Sequence, residues 1–426
     1  MYDFNGSLDL VEKVTAADLG RRLEVPPYAE FEASEYEQRY ARIKTLLKRE
    51  GVAAALFTQE ENVRYFSGYL TVLWISNFRP LTFLLPTDES TDAAIIVSGQ
   101  ERSNADATSW AQEAIAYSPQ VPPIPFIAQS IRDRGLASSR IAIELGFGQR
   151  LGMNQEQWAE LQAELPEVEW VDVTLHAQCV RMIKSRAELD LLARSARMSC
   201  SGVKAGWEAL KVGMTEREIL SVMAAEMYRL GAEVGTKPTF VGLRAGDRWK
   251  QNNAVPSDYA IKSGDAILID GGATYKGYTT DFIRQAVIGP VSGAYKEMFQ
   301  TAVEANQACL AKVRPGVPAS EVFQAAADFL TEHKLYDFFK QMNIVGHGVG
   351  ADVHELPWIG QEGVVFSAET KLREGMFLAI EPAIRITDPA DGPVGAFIVE
   401  ENFEVTADGY EVVTDELSPD LWEAAA

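Results

Sequence analysis

The chain has 426 residues, more than a typical single core holds, and its composition, 47% hydrophobic and 23% charged, is that of an ordinary globular protein of two or three domains. Sixty-one acidic against thirty-nine basic residues give a formal charge of −22, which repels phosphate backbones and anionic lipid and argues against nucleic acid and membrane surfaces as partners. The cysteines Cys179, Cys200 and Cys309 fit neither a disulfide framework nor a zinc knuckle and are expected as free core thiols; with no basic, apolar leader the chain is expected to be cytoplasmic.

In chain order, residues 1–33 are mixed and charge-rich and are expected as an extended N-terminal arm. The segment Ser34 to Gly51 places Tyr40, Ile43, Leu46 and Leu47 at helical spacing and stops at a glycine. The short apolar runs AAALFT, LTFLLP, AAIIVS and RIAIEL read as strands, and MNQEQWAELQAEL (153–165) as a helix. Together they predict an α/β domain over 34–176, ending near EWVDVT.

A second region, 177–426, opens with the capping-box pattern Ser185-Arg-Ala-Glu188, and a second box follows at Thr215-Glu-Arg-Glu218. Beyond lie a hairpin, helices at 293–312 and 319–333, a glycine-rich strand pair around 343–366, and closing strands at 376–386 and 396–406. The region carries an internal duplication. KVGMTEREI (211–219) resembles RPGVPASEV (314–322), and the run Gly264 to Asp270 resembles Gly375 to Glu381, each ending an apolar stretch on an acid. Two such halves bring their strand-end acids together across a pseudo-two-fold axis.

The hairpin ILIDGGATYKGYTTDF offers two carboxylates, Asp270 and Asp281, one on each side of a glycine-punctuated reversal. Glu381 has a corresponding partner in Glu400, and two of the chain's four histidines, His347 and His354, fall in one motif, GHGVGADVHELP. Buried acids repel one another unless cations lie between them. Four carboxylates and an imidazole suit two divalent ions of the Mn, Fe, Co or Zn kind, and four negative charges balance two dications.

These motifs resemble the creatinase, prolidase and methionine aminopeptidase group, the pita-bread metallohydrolases of peptidase family M24. The resemblance covers the catalytic half from about 185 to 412, and ENVRYFSGY (61–69) is similar to the N-terminal domain of its larger Xaa-Pro peptidases and creatinases. It implies an α/β creatinase-like domain followed by an α+β pita-bread domain. By the same resemblance Asp270, Asp281, His347, Glu381 and Glu400 are the ligands of two divalent ions, manganese first, with cobalt, zinc or iron as alternatives. The implied chemistry is hydrolysis of a C–N bond in a small or dipeptide substrate, with Glu381 moving the proton and His354 donating to the substrate or tetrahedral intermediate.

The sequence departs from the family's peptidases at three places. A histidine usual seventeen residues before the first ligand Asp is Asn253 here, an arginine usual two residues before the last Glu is Ile398, and the TRT after the second Asp reads Ile283-Arg284-Gln285. In LWISNFRPLTFLLP (73–86), Arg79 stands where creatinase-like relatives reach a neighbouring subunit's site to hold a substrate carboxylate, which implies a homodimer. Trp74 and Asn253 join Arg79 as candidate substrate contacts. The alternatives are a lyase acting on dimethylsulfoniopropionate, a creatinase-like amidinohydrolase, and an inactive binding protein; five filled ligand positions weigh against the last.

Overall fold

The computed structural model describes residues 2–75, 79–233 and 240–425, and it divides into the units Met1–Arg181 and Met182–Ala426. In the first unit the opening residues are helical where an extended arm was expected. Asp3 caps α1 (Phe4–Val11) by accepting from the Gly6 amide, and Phe4, Leu8 and Val11 bury the stripe that their spacing creates.

There follow α2 (Ala33–Arg49), β1 (Ala54–Phe57), α3 (Glu60–Ser67), β2 (Thr82–Pro86), β3 (Ala94–Ser98), α4 (Arg102–Thr108), β4 (Glu113–Tyr117), α5 (Ile124–Asp133), β5 (Arg140–Ile143), α6 (Gln155–Glu164), β6 (Glu169–Asp172) and α7 (Thr174–Met182). The strands form a mixed sheet in the order β4-β3-β2-β1-β5-β6. The apolar runs β1, β2 and β3 pair antiparallel, whereas β5 joins β1 and β6 joins β5 in parallel. Strand β4 had no apolar run to announce it: EAIAY lies at the sheet's edge and is mostly half-exposed.

The second unit holds α8 (Arg186–Ala209), α9 (Glu216–Leu230), β7 (Phe240–Ala245), β8 (Ala266–Gly272), β9 (Thr274–Tyr275), β10 (Tyr278–Thr279), β11 (Phe282–Ile288), α10 (Gly293–Leu310), α11 (Ala319–Glu332), α12 (Tyr336–Phe339), β12 (Ile344–Gly348), β13 (Glu355–Gly360), β14 (Phe377–Ile380), β15 (Ala383–Ile386), β16 (Gly395–Ile398), β17 (Glu401–Val405), β18 (Tyr410–Val412) and β19 (Trp422–Ala424). Both expected capping boxes form, with Ser185 and Thr215 accepting from the amides of Glu188 and Glu218. Helices α8 and α9 pack closely because Gly202 and Gly206 leave room for Met223 and Met227, where a Cβ would overlap them. Their apolar faces close a core over Ile267, Ile269 and Phe282.

Two sheets carry the duplication: β19-β11-β8-β7 and β13-β12-β14-β17-β18. The backbone repeats the sequence pairing residue for residue. The Gly213 amide donates to the Ile261 carbonyl and the Gly316 amide to Leu372; Ile261 returns a bond to Met214, and Leu372 returns one to Val317. Isolated antiparallel bridges join Thr215 to Ala260 and Pro318 to Lys371 at the matching positions.

Each expected closing strand is two strands. The run at 376–386 breaks at Glu381 and Pro382 into β14 and β15, and the run at 396–406 breaks at Val399 and Glu400 into β16 and β17. Strand β14 pairs with β17 in the large sheet, while β15 and β16 form a separate ribbon. Asn306 of α10 fills the gap, its amide donating to the carbonyls of Ile380 and Val399, the residues just before the two glutamates. Among the described residues no helix is long and apolar enough to cross a membrane. The three cysteines are buried and form no disulfide.

Candidate metal centre

The hairpin reverses through Lys276 and Gly277, both with positive φ, 49° and 80°, so β9 and β10 close on a two-residue turn. Strands β8 and β11 then pair with Asp270 opposite Ile283, which leaves Asp281 just ahead of β11. Glu400 stands in the same place ahead of β17, and Glu381 just after β14 as Asp270 ends the apolar run of β8. Strand order alone therefore delivers two acids from each half.

The acids converge. Ligand atoms of Asp270, Asp281 and Glu400 lie within 4.8 Å of one another, as do those of His347, Glu381 and Glu400, and those of Asp281, His347 and His354. These overlapping trios join all five expected ligands and add His354, whose ring centroid is 4.5 Å from that of His347 and 5.9 Å from that of Trp358.

The backbone holds the acids from behind. The Asp281 amide donates to Asn402 Oδ1 at 3.1 Å, and the Asn402 amide nitrogen donates back to the Asp281 carbonyl. Arg284, almost fully buried, donates to the Glu400 carbonyl at 2.8 Å and to Glu401 Oε2 at 2.8 Å. His347 is oriented by its own neighbour: only a protonated Nδ1 can bond the Gly348 carbonyl at 2.9 Å, which leaves Nε2 with a bare lone pair. That Nε2 lies 3.9 Å from Asp281 Oδ2 and 3.8 Å from Glu400 Oε1. Burial pushes the imidazole down to about 3, with His354 adding to the effect, so the ring is neutral and these approaches are not ion pairs.

Three buried atoms at this spot, Asp281 Oδ1, Glu400 Oε1 and His347 Nε2, have no hydrogen-bond partner. All three are acceptors, and a group of acceptors turned on each other is satisfied by a cation or by protons. The carboxyls report the same stress. Burial, then Asp270 and Glu381, raises Asp281 well above the carboxylate range; burial, then Asp281, raises Glu400 likewise; burial, then Asp270, takes Glu381 up to about 8. Asp270 is raised by burial too, against the opposing field of Arg244. The residues present fit a pair of divalent ions: oxygen donors, one imidazole of the right tautomer, and hydrogen bonds behind Asp270, Asp281, His347 and Glu400.

Sequence reasoning missed several neighbours. Arg244 of β7, across from Leu268, bonds Asp270 Oδ2 at 2.8 Å and the Gln251 carbonyl at 3.2 Å. Asn306 and Asn402 carry no local signal, since their partners lie far along the chain. Lys184 pairs with Glu355 at 3.0 Å, both almost fully buried, and Glu355 also accepts from the Asp352 amide within the turn that carries His354.

Three sequence candidates lie outside this cluster. Asn253 is exposed, with φ of 54°, in the turn after residue 250. Trp74 and Arg79 belong to the first unit, where Trp74 stands edge-on to Tyr69 at 6.2 Å. Arg79 there is partly exposed and opposes, through its field, the burial that raises Tyr117 to about 12. Residues 76–78 of that motif lie outside the described residues.

Comparison with known proteins agrees with the geometry. The model for Metallopeptidase family M24 matches residues 190–407, and that for the Creatinase/Prolidase N-terminal domain matches 39–183. The Xaa-Pro dipeptidase of Pyrococcus horikoshii is 27% identical over 384 residues, 88% of this chain and 97% of that protein. The Xaa-Pro dipeptidase of Lactobacillus delbrueckii is 25% identical over 376 residues, covering 88% and 95%. Among solved structures, the prolidase from Pyrococcus horikoshii OT3 superposes with a TM-score of 0.75 at 25% identity, over 89% of this chain and 98% of that one. The Xaa-Pro dipeptidase from Bacillus anthracis superposes with a TM-score of 0.77 at 22% identity, over 91% and 99%.

Proposed function

Because the chain belongs to metallopeptidase family M24, whose model spans residues 190–407, it is a metal-dependent hydrolase, and we propose that its substrates are small Xaa-Pro dipeptides. The observation that carries this reading is the trio of buried, unpartnered acceptors on Asp281, Glu400 and His347. Asp270, Asp281, His347, Glu381 and Glu400 would hold two divalent ions, manganese first, with cobalt, zinc or iron as alternatives. Once bound, the ions would supply a water acidified toward neutral pH and polarise the scissile carbonyl.

The remaining work falls to the chain's own groups. Glu381, by the family resemblance, takes the proton from that water and passes it to the departing amine. His354, whose pKa is lowered, burial first, offers a ring N–H to the carbonyl oxygen as charge develops there. Trp358, edge-on to His347 and tilted against His354, limits where the His354 ring can turn. On this reading Trp74 and Asn253 contact substrate, Arg79 holds a carboxylate in the neighbouring site of a homodimer, and the enzyme works in the cytoplasm.

The test is a substrate panel run on metal-free protein reconstituted separately with manganese, cobalt, zinc and iron. Release of proline from Xaa-Pro dipeptides, dependent on added metal, is the expected result. Turnover confined to creatine or to dimethylsulfoniopropionate would replace the peptidase assignment by one of its alternatives.

A further inference from the structure

Two arginines lie beside the acids of the metal centre and act on Asp270 and Glu381. Arg244 is 5% exposed at its side chain and shares Asp270 Oδ2, yet its Nε is buried with no partner. Arg385, half-buried on β15, makes no hydrogen bond or ion pair among the described residues. Both face one space. Asp270 lies opposite Gly242 and Leu268 opposite Arg244, so the Arg244 side chain leaves the sheet on the same face as Asp270 and Leu268. Arg385 follows Ala383 by two residues and therefore shares its face of β15, and Ala383 belongs to one buried cluster with Leu268, Ile283 and Ile398. The two guanidiniums thus approach from opposite halves of the unit; Arg244 acts on Arg385, and both act on Asp270 and Glu381.

The charges sharpen the point. Elsewhere around the site each buried cation has its own acid: Lys184 has Glu355, and Arg284 has Glu401. Two dications would use up the charge of Asp270, Asp281, Glu381 and Glu400, leaving Arg244 and Arg385 without a counter-charge from the protein. Buried like charges side by side are costly unless an anion joins them.

We propose that Arg244 and Arg385 form an anion subsite within a single chain, which receives the free carboxylate that a small substrate carries next to the bond cleaved. Arg385 presents the open guanidinium fork, and Arg244, anchored by Asp270 and the Gln251 carbonyl, offers its unpartnered Nε. This rests on the hydrolase reading for the identity of the substrate, but the subsite itself is read from the protein's own side chains. It makes the enzyme selective for free dipeptides over longer or amidated ones, independently of Arg79.

The test compares binding of L-proline and L-prolinamide by calorimetry, on manganese-loaded wild-type protein and the variants Arg385→Met, Arg385→Lys and Arg79→Ala, alongside KM for an Xaa-Pro dipeptide and its amide. In the wild type the acid should bind about tenfold to a hundredfold more tightly than the amide, a preference lost in Arg385→Met, partly restored in Arg385→Lys and kept in Arg79→Ala. A preference that survives in Arg385→Met, that vanishes only in Arg79→Ala, or that is absent from the wild type overturns the proposal. Failure of the hydrolase reading is seen separately, as loaded protein that cleaves no dipeptide whatever its preference between proline and prolinamide.

Discussion

His347 Nε2 lies 3.8 Å from Glu400 Oε1, and neither atom has a hydrogen-bond partner. Two buried acceptors at that separation repel unless something positive joins them. Adding a divalent metal at about a hundredfold its Kd to metal-free protein should therefore raise stability by about 3 kcal/mol. In Asp281→Ala and His347→Ala the gain should be lost or much reduced, together with bound metal; thermal unfolding and elemental analysis check both.

Metal-free protein should lose stability as pH rises from about 6.5 to about 8. Glu381 has an ordinary value of 4.5 and is pushed up to about 8, so its contribution is full below the lower value and lost as pH climbs through the upper one. Asp281 and Glu400, also raised, act in the same sense. His347, lowered from 6.5 to about 3, works the other way, but its contribution is complete above 6.5 and fades only as pH falls toward 3. Melting curves across this range should fall without metal and flatten with it; a metal-free melting temperature that climbs with pH would contradict the assignment.

Asn306→Ala should destabilise the fold by about 1–3 kcal/mol for each carbonyl it orphans, since both Ile380 and Val399 lose their donor. Because those residues precede Glu381 and Glu400, metal affinity should fall as well. Denaturant unfolding and metal titration measure the two effects.

His354→Ala should lower kcat by about a hundredfold to a thousandfold while leaving the ions bound by the five main ligands, because the ring's assigned task is donation to developing charge. Loss of metal in step with activity would instead make His354 a ligand, as its closeness to Asp281 and His347 allows.

The sequence made the catalytic unit readable because its information is periodic and local. The two capping boxes, the hairpin with its Lys276-Gly277 turn, and the matched pairs Gly213 with Gly316 and Asp270 with Glu381 all leave marks within a few residues. The candidate acids stood out by residue type and order, the family resemblance assigned them as ligands together with His347, and the structure brings the five side chains together. The breaks at Glu381 and Glu400 did not show, because an apolar run reads the same whether its strand continues or changes partner; only Asn306, folded in from α10, reveals the gap. Arg244 was invisible for a related reason. It sits 26 residues from Asp270, and nothing in FVGLRAGDR says that its guanidinium turns toward the acids. In the first unit, Phe4, Leu8 and Val11 do have helical spacing, but the run is only eight residues long and sits in a charge-rich stretch over 1–33 that masked it.

Anomalous diffraction from crystals of the manganese-loaded protein tests the central claim most directly. The prediction is two peaks per chain inside the ring formed by Asp270, Asp281, His347, Glu381 and Glu400. No peak inside that ring of five side chains, under conditions where the enzyme turns over, would contradict it.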